Sequence, residues 1–315
     1  MSPAGSSREA ASAFAPASVG NVAIGFDIMG FSVGALGDRA TVRRTSVPGV
    51  RIAAIRGVVA KLPTDAEKNT AGRALQALCA ARELGFGLEL ELDKGIPLAS
   101  GLGGSAASAV AAVVAANAVM PEPFSQLELL KFAMQGEQVA SGSLHGDNIA
   151  ASLYGGLVLT VGIDRPRVKQ IPVPAGIRAV LVHPHMSLST RRARSILRGS
   201  VPLKDFVWQT AHLAGFISAC YTDDLDLLRE SFEDVVIEPQ RAALIPGFAA
   251  VRQAAIAAGA LGCSISGAGP TVFAWCLEPH ALAVRAAMVL EFSHHQLQCD
   301  HWTTAVEPAG AHVLP

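Results

Sequence analysis

A glycine-rich segment flanked by serines is the part of the chain best suited to chemistry. It reads PLASGLGGSAAS over residues 97–108, after an alternating segment (87–95) and before an alanine-rich one (105–120). Glycines let successive backbone N–H groups converge on an anion. A helix N-terminus adds unpaired N–H groups and the positive end of the helix dipole. The order strand, loop, helix therefore predicts a phosphate-binding loop, and a turn selected only for packing is the alternative.

The loop is not a Walker A loop, because no Gly-Lys-Ser/Thr follows the glycines. A second glycine-rich segment, SISGAGPT (264–271), either faces the same phosphates or forms a hairpin turn between two strands. His145, Asp147 and Asn148 stand together as HGDN. The proximity of His145 and Asp147 suggests a metal site or an acid–base pair, but two residues set so closely do not establish either.

Composition excludes several classes of protein. Half of the residues are hydrophobic and 16% are charged, while the net charge of -1 offers no general attraction to nucleic acid or to an anionic membrane. The most apolar stretch (106–120) is shorter than the roughly 20 residues of a membrane span. Five dispersed cysteines indicate reduced thiols. We expect a cytoplasmic protein without a membrane or nucleic-acid partner, whose anionic ligands are held locally.

The elements that would position these residues follow from periodicity and from capping residues. The pattern predicts strands within 10–60, at 87–95, at 155–163, at 177–183 and on both sides of the second glycine turn; helices at 69–83 (capped by Asn69), at 105–120, at 125–141 (capped by Ser125), at 191–197, 203–220, 225–230 and 247–258; and a last helix and strand. This is an α+β chain in two halves, with a glycine turn in each. A segment rich in proline and charge, 164–176, marks the transition. The predicted divisions are a disordered tail (1–10), an N-terminal domain (11–165) and a C-terminal domain (166–315).

Three segments, in order, resemble the GHMP kinases, named for galactokinase, homoserine kinase, mevalonate kinase and phosphomevalonate kinase. They are APASVGNVAIGFDIMG (15–30), the phosphate loop, and SISGAGPT. Five stretches are most similar to the homoserine kinases: GNVAIGFD (20–27), LPTDAEKNTAG (62–72), GEQVASGSLHGDNIA (136–150), STRRARSIL (189–197) and VIEPQRAALIP (236–246). The resemblance covers essentially the whole chain after the tail. It implies an N-terminal ATP-binding domain with a left-handed βαβ crossover, which is an exception to the usual handedness. A ferredoxin-like C-terminal domain would follow, with the active site between the two.

The resemblance also implies an activity, namely ATP- and Mg²⁺-dependent phosphorylation of the side-chain hydroxyl of L-homoserine to O-phospho-L-homoserine in threonine biosynthesis, by a homodimer. It places Mg²⁺ on the hydroxyl of Ser105 and the carboxylate of Glu137, although Glu137 taken alone reads as a solvated helix residue. The residues implied to bind the nucleotide are Asn69, Pro97, Ser100, Gly101, Leu102, Gly103, Gly104, Ser105, Ala106, Gly267 and Gly269. As read locally, Asn69 is a helix cap.

For the acceptor, the resemblance implies arginines for the carboxylate and an acidic residue for the ammonium. The residues so placed are Arg194 and Arg241 with Thr190, Asp27 with Asn21, and His145 with Asn148. Mevalonate kinase and galactokinase have an aspartate as base where this chain has Asn148, whose amide cannot accept a proton. The implied mechanism has no protein base. Asn148 orients the hydroxyl, Ser105 and Glu137 hold the metal, and the proton passes to a γ-phosphate oxygen.

One departure and two rival functions complete the interpretation. Gly104 stands where many relatives have serine, which removes a hydroxyl but keeps the backbone N–H. A mevalonate- or shikimate-type kinase would phosphorylate a simple hydroxy acid, whereas Asp27 combined with two arginines favours a zwitterion. A non-catalytic nucleotide-binding homologue is the other rival, and the presence of Ser105 and Glu137 argues against it.

Overall fold

The computed structural model describes residues 8–59, 61–141, 146–162, 165–306 and 309–315 of the chain. Within them the strands are β1 (Ala10–Gly20), β2 (Met29–Thr45), β3 (Val50–Gly57), β4 (Gly87–Lys94), β5 (Leu157–Val161), β6 (Arg167–Ile171), β7 (Ile177–Pro184), β8 (Ala260–Ile265), β9 (Val272–Leu277), β10 (Cys299–Thr304) and β11 (His312–Val313). The α-helices are α1 (Thr70–Ala80), α2 (Gly104–Ala118), α3 (Gln126–Ser141), α4 (Asp147–Tyr154), α5 (Thr190–Ser195), α6 (Leu203–Thr222), α7 (Leu225–Ser231), α8 (Glu238–Arg241), α9 (Phe248–Ala257) and α10 (Ala281–His294). The predicted α+β class is confirmed.

The first sheet is built around the long strand β2. The second half of β2 pairs with β4 and its first residues pair with β5, so that the order β11-β1-β2-β4-β3 carries β5 and β6 as a branch. β3 and β4 are parallel. The chain between them forms α1, whose first turn is capped as predicted by the Asn69 side chain, which accepts hydrogen bonds from the N–H groups of Ala71 and Gly72. This is a parallel βαβ unit of the kind that the resemblance implies for the N-terminal domain.

Helix α2 occupies the centre of the first half. Every residue from Ala106 to Ala116 is buried, because β1 and β2 cover one side of the helix and α1, α3 and α4 cover the others. A helix enclosed on all sides needs no polar face, which explains a sequence that is apolar all round. Its many alanines let the neighbouring elements approach closely. The start of α2 is therefore held rigidly at the edge of the core.

The second sheet has the order β10-β7-β9-β8 and is antiparallel throughout. Numbered along the chain, these four strands take the spatial order 4-1-3-2, with helices connecting the first to the second strand and the third to the fourth. That is the ferredoxin-like topology that the resemblance implies for the C-terminal half.

The two sheets share one hydrophobic core. The ring of Phe31 on β2 lies 5.5 Å from both Phe273 and Trp275 on β9, with the rings edge to face. The same cluster continues through Phe216 on α6, and its members from both sheets are buried. Because interiors are close-packed, such a shared core resists sliding of one half against the other. The cleft described below lies at this junction.

Three features differ from the sequence interpretation. The predicted tail extends too far, since β1 begins at Ala10 and the carbonyl of Glu9 already accepts a hydrogen bond from the N–H of Arg44; residues 1–7 lie outside the described ranges. The predicted transition segment contains β6, so the first sheet continues to Ile171 and is joined again by β11. The division into domains at residue 165 stays a prediction.

The third difference is α4, which the sequence interpretation did not anticipate and which begins at Asp147. In the described part of the chain, no helix combines the length and apolarity needed to cross a membrane.

Candidate active site

A cleft of about 570 Å³ lies between the glycine loop of the first half and helices α5 and α8 of the second. The predicted site residues that line it are Asn21, Asp27, Asn69, Pro97, Ser100, Gly101, Gly103, Gly104, Ser105, Ala106, Glu137, Asn148, Thr190, Arg194, Arg241 and Gly267. Two predicted residues do not line it, since Leu102 is fully buried and Gly269, within the second glycine turn, is buried against Ile245 and Ile265. His145 falls outside the described residues.

The glycine loop has the geometry of an anion cradle. Helix α2 begins at Gly104, and the preceding residue, Gly103, has a φ of 67° and provides no side-chain cap. The first N–H groups of the helix thus have no partner within the helix, and Gly104, Ser105 and Ala106 all face the cleft. An uncapped helix N-terminus that opens into a cleft favours a bound anion.

The same glycines are also demanded by packing. Gly101 has a φ of 81°, and a Cβ there would lie 2.6 Å from the carbonyl oxygen of Ser266. A Cβ on Gly103 would lie 2.1 Å from the hydroxyl of Ser18. Packing therefore also restricts these two positions to glycine. This is compatible with phosphate binding, because the loop can be tightly packed on one side and open to the cleft on the other.

Ser105 and Glu137 meet across the cleft. The hydroxyl of Ser105 donates a hydrogen bond of 2.9 Å to Oε1 of Glu137, which projects from α3. Burial raises the pKa of Glu137 to about 7, although the hydrogen bond from Ser105 acts in the opposite direction. Glu137 is therefore not the solvated helix residue that its local sequence suggests. A hydroxyl and a carboxylate are thus presented together beside the loop.

A buried lysine supports the loop from below. The ammonium of Lys94, at the end of β4, is paired with the carboxylate of Asp38. It also donates to the carbonyl of Gly104 at 2.7 Å and to the hydroxyl of Ser108 at 2.6 Å. Asp38 in turn accepts the N–H of Gly95 at 3.0 Å. This network ties the strand, the loop and the first turn of α2 together, and Lys94 also lines the cleft.

Asn148 is held at the start of α4 beside the loop. Its Oδ1 accepts a hydrogen bond of 2.9 Å from the hydroxyl of the buried Ser18. Its Nδ2 lies 3.3 Å from Oδ2 of Asp147. A cleft-facing amide fixed from both ends can orient a ligand, but it cannot take up a proton.

Asp147 stabilises a strained turn. Asn21, Val22 and Ala23 have φ values of 71°, 47° and 59°, a run of left-handed residues that costs on the order of 1 kcal/mol each. The buried carboxylate of Asp147 accepts the backbone N–H of Asn21, and the Asn21 side chain donates to the carbonyl of Gly267 at 2.8 Å. Burial, followed by the negative charge of Asp27, raises the pKa of Asp147 to about 6.

The far end of the cleft carries paired charges. Arg194 on α5 forms a bidentate ion pair with Asp27, at 3.0 and 2.5 Å. Arg241 on α8 is buried and donates to the carbonyls of Ala193 at 3.2 Å and Gly267 at 2.9 Å. Burial, and next the neighbouring charge of Arg194, lowers the pKa of Arg241 to about 10. The acidic and basic residues assigned from the sequence to separate ligand groups are thus adjacent to each other here.

The second glycine turn supports the loop from the other half of the chain. It is the hairpin turn between β8 and β9, as the local alternative suggested. The hydroxyl of Ser266 donates to the carbonyl of Gly101, and that of Thr271 donates to the carbonyl of Ser100, both at 2.6 Å. Gly267 and Ala268 are the residues of this turn that line the cleft, and the carbonyl of Gly267 accepts hydrogen bonds from Asn21 and Arg241.

Several functional neighbours were missed from the sequence. They are Ser18, Asp38, Lys94, Ser108, Ser266 and Thr271. Asp147 was noted in the HGDN segment, but its bond to the backbone of Asn21 was not anticipated. Ser18, Ser266 and Thr271 belong to quoted motifs, but a motif does not reveal which hydroxyl braces which backbone. Lys94 and Asp38 lie in strands without a recognisable motif. The sequence feature that could have indicated their role is a charged residue at a strand position that faces the interior.

Comparisons with known proteins find GHMP kinase sequences that match both halves of the chain. The model of the GHMP kinases N terminal domain matches residues 69–156, and that of the GHMP kinases C terminal matches residues 216–294. A homoserine kinase of Xanthomonas campestris pv. campestris (strain B100) is 50% identical over 314 residues, covering 99% of this chain and 96% of the relative.

Solved structures of GHMP kinases are similar to this chain over nearly its full length. The crystal structure of homoserine kinase from Cytophaga hutchinsonii has a TM-score of 0.93 at 41% identity and covers 98% of each chain. Lactococcus lactis galactokinase, at 15% identity and a TM-score of 0.72 over 98% of this chain and 96% of its own, shares the fold.

Substituting the buried lysine should destabilise the protein strongly. Lys94→Met leaves the carboxylate of Asp38 buried without its cation, so we expect the free energy of unfolding to fall by about 3 kcal/mol, measured by urea denaturation. Arg56→Met is the matched control, because its ion pair with Glu91 is exposed and should contribute less than about 1 kcal/mol. Equal, small losses in both variants would show that the Lys94 network does not stabilise the loop.

The raised pKa of Glu137 predicts a pH dependence of stability. Its carboxyl has an ordinary pKa of 4.5 and one of about 7 in the folded protein. Between these values the folded state binds more protons than the unfolded state, so the free energy of unfolding falls as pH rises. Glu137→Gln should reduce this fall by about 3 kcal/mol between pH 4.5 and 7.5, measured by urea denaturation without divalent cations. Glu91→Gln is the control, and identical slopes for wild type and Glu137→Gln would contradict the prediction.

Proposed function

Because the chain belongs to the homoserine kinases within the GHMP kinase family, we propose that it transfers the γ-phosphoryl group of ATP to the side-chain hydroxyl of L-homoserine, forming O-phospho-L-homoserine. The observation that carries this proposal is the construction of the cleft. An uncapped helix N-terminus stands at one end, and a carboxylate with two guanidinium groups stands at the other. A phosphate donor and a zwitterionic acceptor fit these two ends.

The glycine loop would hold the triphosphate. Backbone N–H groups of Gly103, Gly104 and Ser105 line the cleft together with the start of α2, and their dipoles suit the charged phosphates. Asn69 lies on the same wall. It caps α1 with its Oδ1 and donates through Nδ2 to the carbonyl of Pro63, so we assign it a structural role beside the nucleoside rather than a strong contact to it.

Ser105 and Glu137 fit a magnesium ion that also binds the nucleotide. They offer one hydroxyl and one carboxylate oxygen, and in the described residues no cluster of three or more His, Cys, Asp or Glu side chains could hold a metal alone. Mg²⁺ usually keeps several waters and binds through one or two carboxylates and substrate phosphates, which matches this donor set. When bound, it would neutralise charge that develops on the transferring group.

On binding, the charged groups of the acceptor would replace the ion pair between Asp27 and Arg194 with new pairs to the ligand. Homoserine carries an ammonium and a carboxylate, and the side chains of Asp27 and Arg194 present the complementary pair of charges. Arg241 adds a second guanidinium whose bonds to the protein are to neutral carbonyls. A zwitterion can therefore enter with both of its charges compensated, which limits the cost of desolvation. Thr190 lies alongside on α5 and lines the same wall.

We propose that the reaction uses no protein base. Asn148 would orient the acceptor hydroxyl, and the proton would pass to a γ-phosphate oxygen as the phosphoryl group transfers. Asp147 is the neighbouring carboxylate, but it accepts the backbone N–H groups of Asn148 and Asn21 and so has a holding function. In phosphoryl transfer, positioning and charge stabilisation provide most of the rate enhancement.

The wider setting is proposed on the family alone. We expect a cytoplasmic enzyme of threonine biosynthesis that acts as a homodimer. The two rival functions fit the cleft less well. A mevalonate- or shikimate-type acceptor has no ammonium group that could replace Arg194 as the partner of Asp27. A non-catalytic homologue would not need the hydroxyl and carboxylate that Ser105 and Glu137 hold together for a metal ion.

The acceptor can be identified by a coupled assay of ADP release. With ATP and Mg²⁺, the enzyme should turn over L-homoserine at least 100-fold faster, in kcat/KM, than mevalonate or shikimate, because only homoserine satisfies both members of the Asp27–Arg194 pair. Reactions without Mg²⁺ and reactions of Glu137→Gln serve as controls. A higher kcat/KM for either hydroxy acid would replace homoserine as the acceptor, and nucleotide binding without turnover of any of the three would favour the non-catalytic alternative.

Asn148→Ala tests the orienting residue. We expect kcat to fall about 100-fold, as misplacement of a reacting group can cost, while the dissociation constant for a non-hydrolysable ATP analogue stays within twofold. Ser18→Ala, which removes only the hydrogen bond that holds Asn148, should give a smaller loss. Undiminished turnover in Asn148→Ala would reject the assignment.

A further inference from the structure

Phe26 is an aromatic residue whose ring contacts two cations at the acceptor end of the cleft. The guanidinium carbon of Arg194 lies 5.3 Å from the centre of the ring, and that of Arg241 lies 5.1 Å from it. Both distances are within the range in which a ring face attracts a cation. Phe26 is partly buried in the connection between β1 and β2, directly before Asp27. It is not among the residues that line the cleft, so it contacts the arginines from outside the cleft wall.

The two guanidinium groups need such a partner because like charges repel in a partly buried site. Arg194 has the carboxylate of Asp27. Arg241 is buried and donates to the neutral carbonyls of Ala193 and Gly267. The ring of Phe26 lies within cation–π distance of both guanidinium groups and so favours holding the two cations close to each other. An aliphatic side chain of similar size would fill the space without this electrostatic attraction.

We propose that Phe26 is a positioning residue that sets the two arginines to receive the acceptor's carboxylate together. This rests on the proposed function, in which the acceptor is an amino acid. A carboxylate can bridge two guanidinium groups only if their planes and spacing are maintained before it arrives. Phe26 would maintain them without touching the acceptor. Its influence should therefore appear in binding of the acceptor, and neither in the binding of ATP nor in the chemical step.

The test compares variants with and without an aromatic ring. Phe26→Leu should raise the KM for L-homoserine about five- to tenfold, with kcat and the KM for ATP changed less than twofold. Phe26→Tyr keeps the ring face and should restore a KM within twofold of the wild type. Titration calorimetry with L-homoserine, in the presence of a non-hydrolysable ATP analogue, should show the same order of dissociation constants without turnover. Phe26→Met replaces Phe26→Leu if the latter does not fold.

Phe86→Leu is a matched control, since Phe86 is also partly buried and its ring lies 4.4 Å from the guanidinium carbon of Arg44, outside the cleft. It should leave the KM for homoserine unchanged. The proposal is overturned if Phe26→Leu binds homoserine like the wild type, if it weakens ATP and homoserine equally, or if Phe26→Tyr is as weak as Phe26→Leu.

If the proposed function is wrong, the wild-type enzyme itself will prefer an acceptor other than L-homoserine. If the wild type prefers another acceptor that bears a carboxylate, the same variants are compared with that acceptor. A wild-type preference for an acceptor without a carboxylate overturns both the function and the role of Phe26.

Discussion

The geometry of the cleft depends on how the backbone of the glycine loop is held, because its glycines have no side chains that could fix them. Its backbone carbonyls are instead bound from two directions. Lys94 reaches the carbonyl of Gly104 from the first sheet, while Ser266 and Thr271 reach Gly101 and Ser100 from the second. Because these carbonyls are bound to the surrounding protein, the loop residues Gly103, Gly104 and Ser105 can present their N–H groups to the cleft. The shared core beneath the loop prevents the two supports from moving independently.

The electrostatics of the cleft are balanced by residues that compensate one another. Near the loop, burial raises the pKa of Glu137 to about 7, so its carboxyl carries only part of a negative charge near neutral pH. Asp147, with a pKa of about 6, is mostly ionised there, and its carboxylate accepts backbone N–H groups. At the other end, Asp27 offsets Arg194, and the ring of Phe26 lies against both Arg194 and Arg241. The protein can thus keep charges ready for ligands in a partly buried site without the full cost of isolated buried ions.

Backbone strain is concentrated at the same place. The left-handed residues at Asn21–Ala23 and at Asp27 are unfavourable locally, and they persist because the surrounding structure holds them through Asp147 and the carbonyl of Gly267. The result is a connection that places Asn21, Phe26 and Asp27 against the second half of the chain. The strain is therefore part of how the acceptor end is assembled.

The fold class and most helices and strands could be predicted from the sequence, as could the position of the glycine loop and most of the residues that line the cleft. Such predictions rest on local periodicity, capping residues and glycine spacing, or on motifs that resemble those of the GHMP kinase family. The sequence did not show that Asp27 pairs with Arg194, that Lys94 and Asp38 lie beneath the loop, or that α4 begins at Asp147. The resemblance linked Ser105 with Glu137 through a metal ion, and the folded chain shows in addition that they are hydrogen-bonded directly. The reason is physical. Each of these contacts joins residues distant in the chain, and a buried charge in a strand has the same local pattern as an exposed one until the other half of the chain covers it.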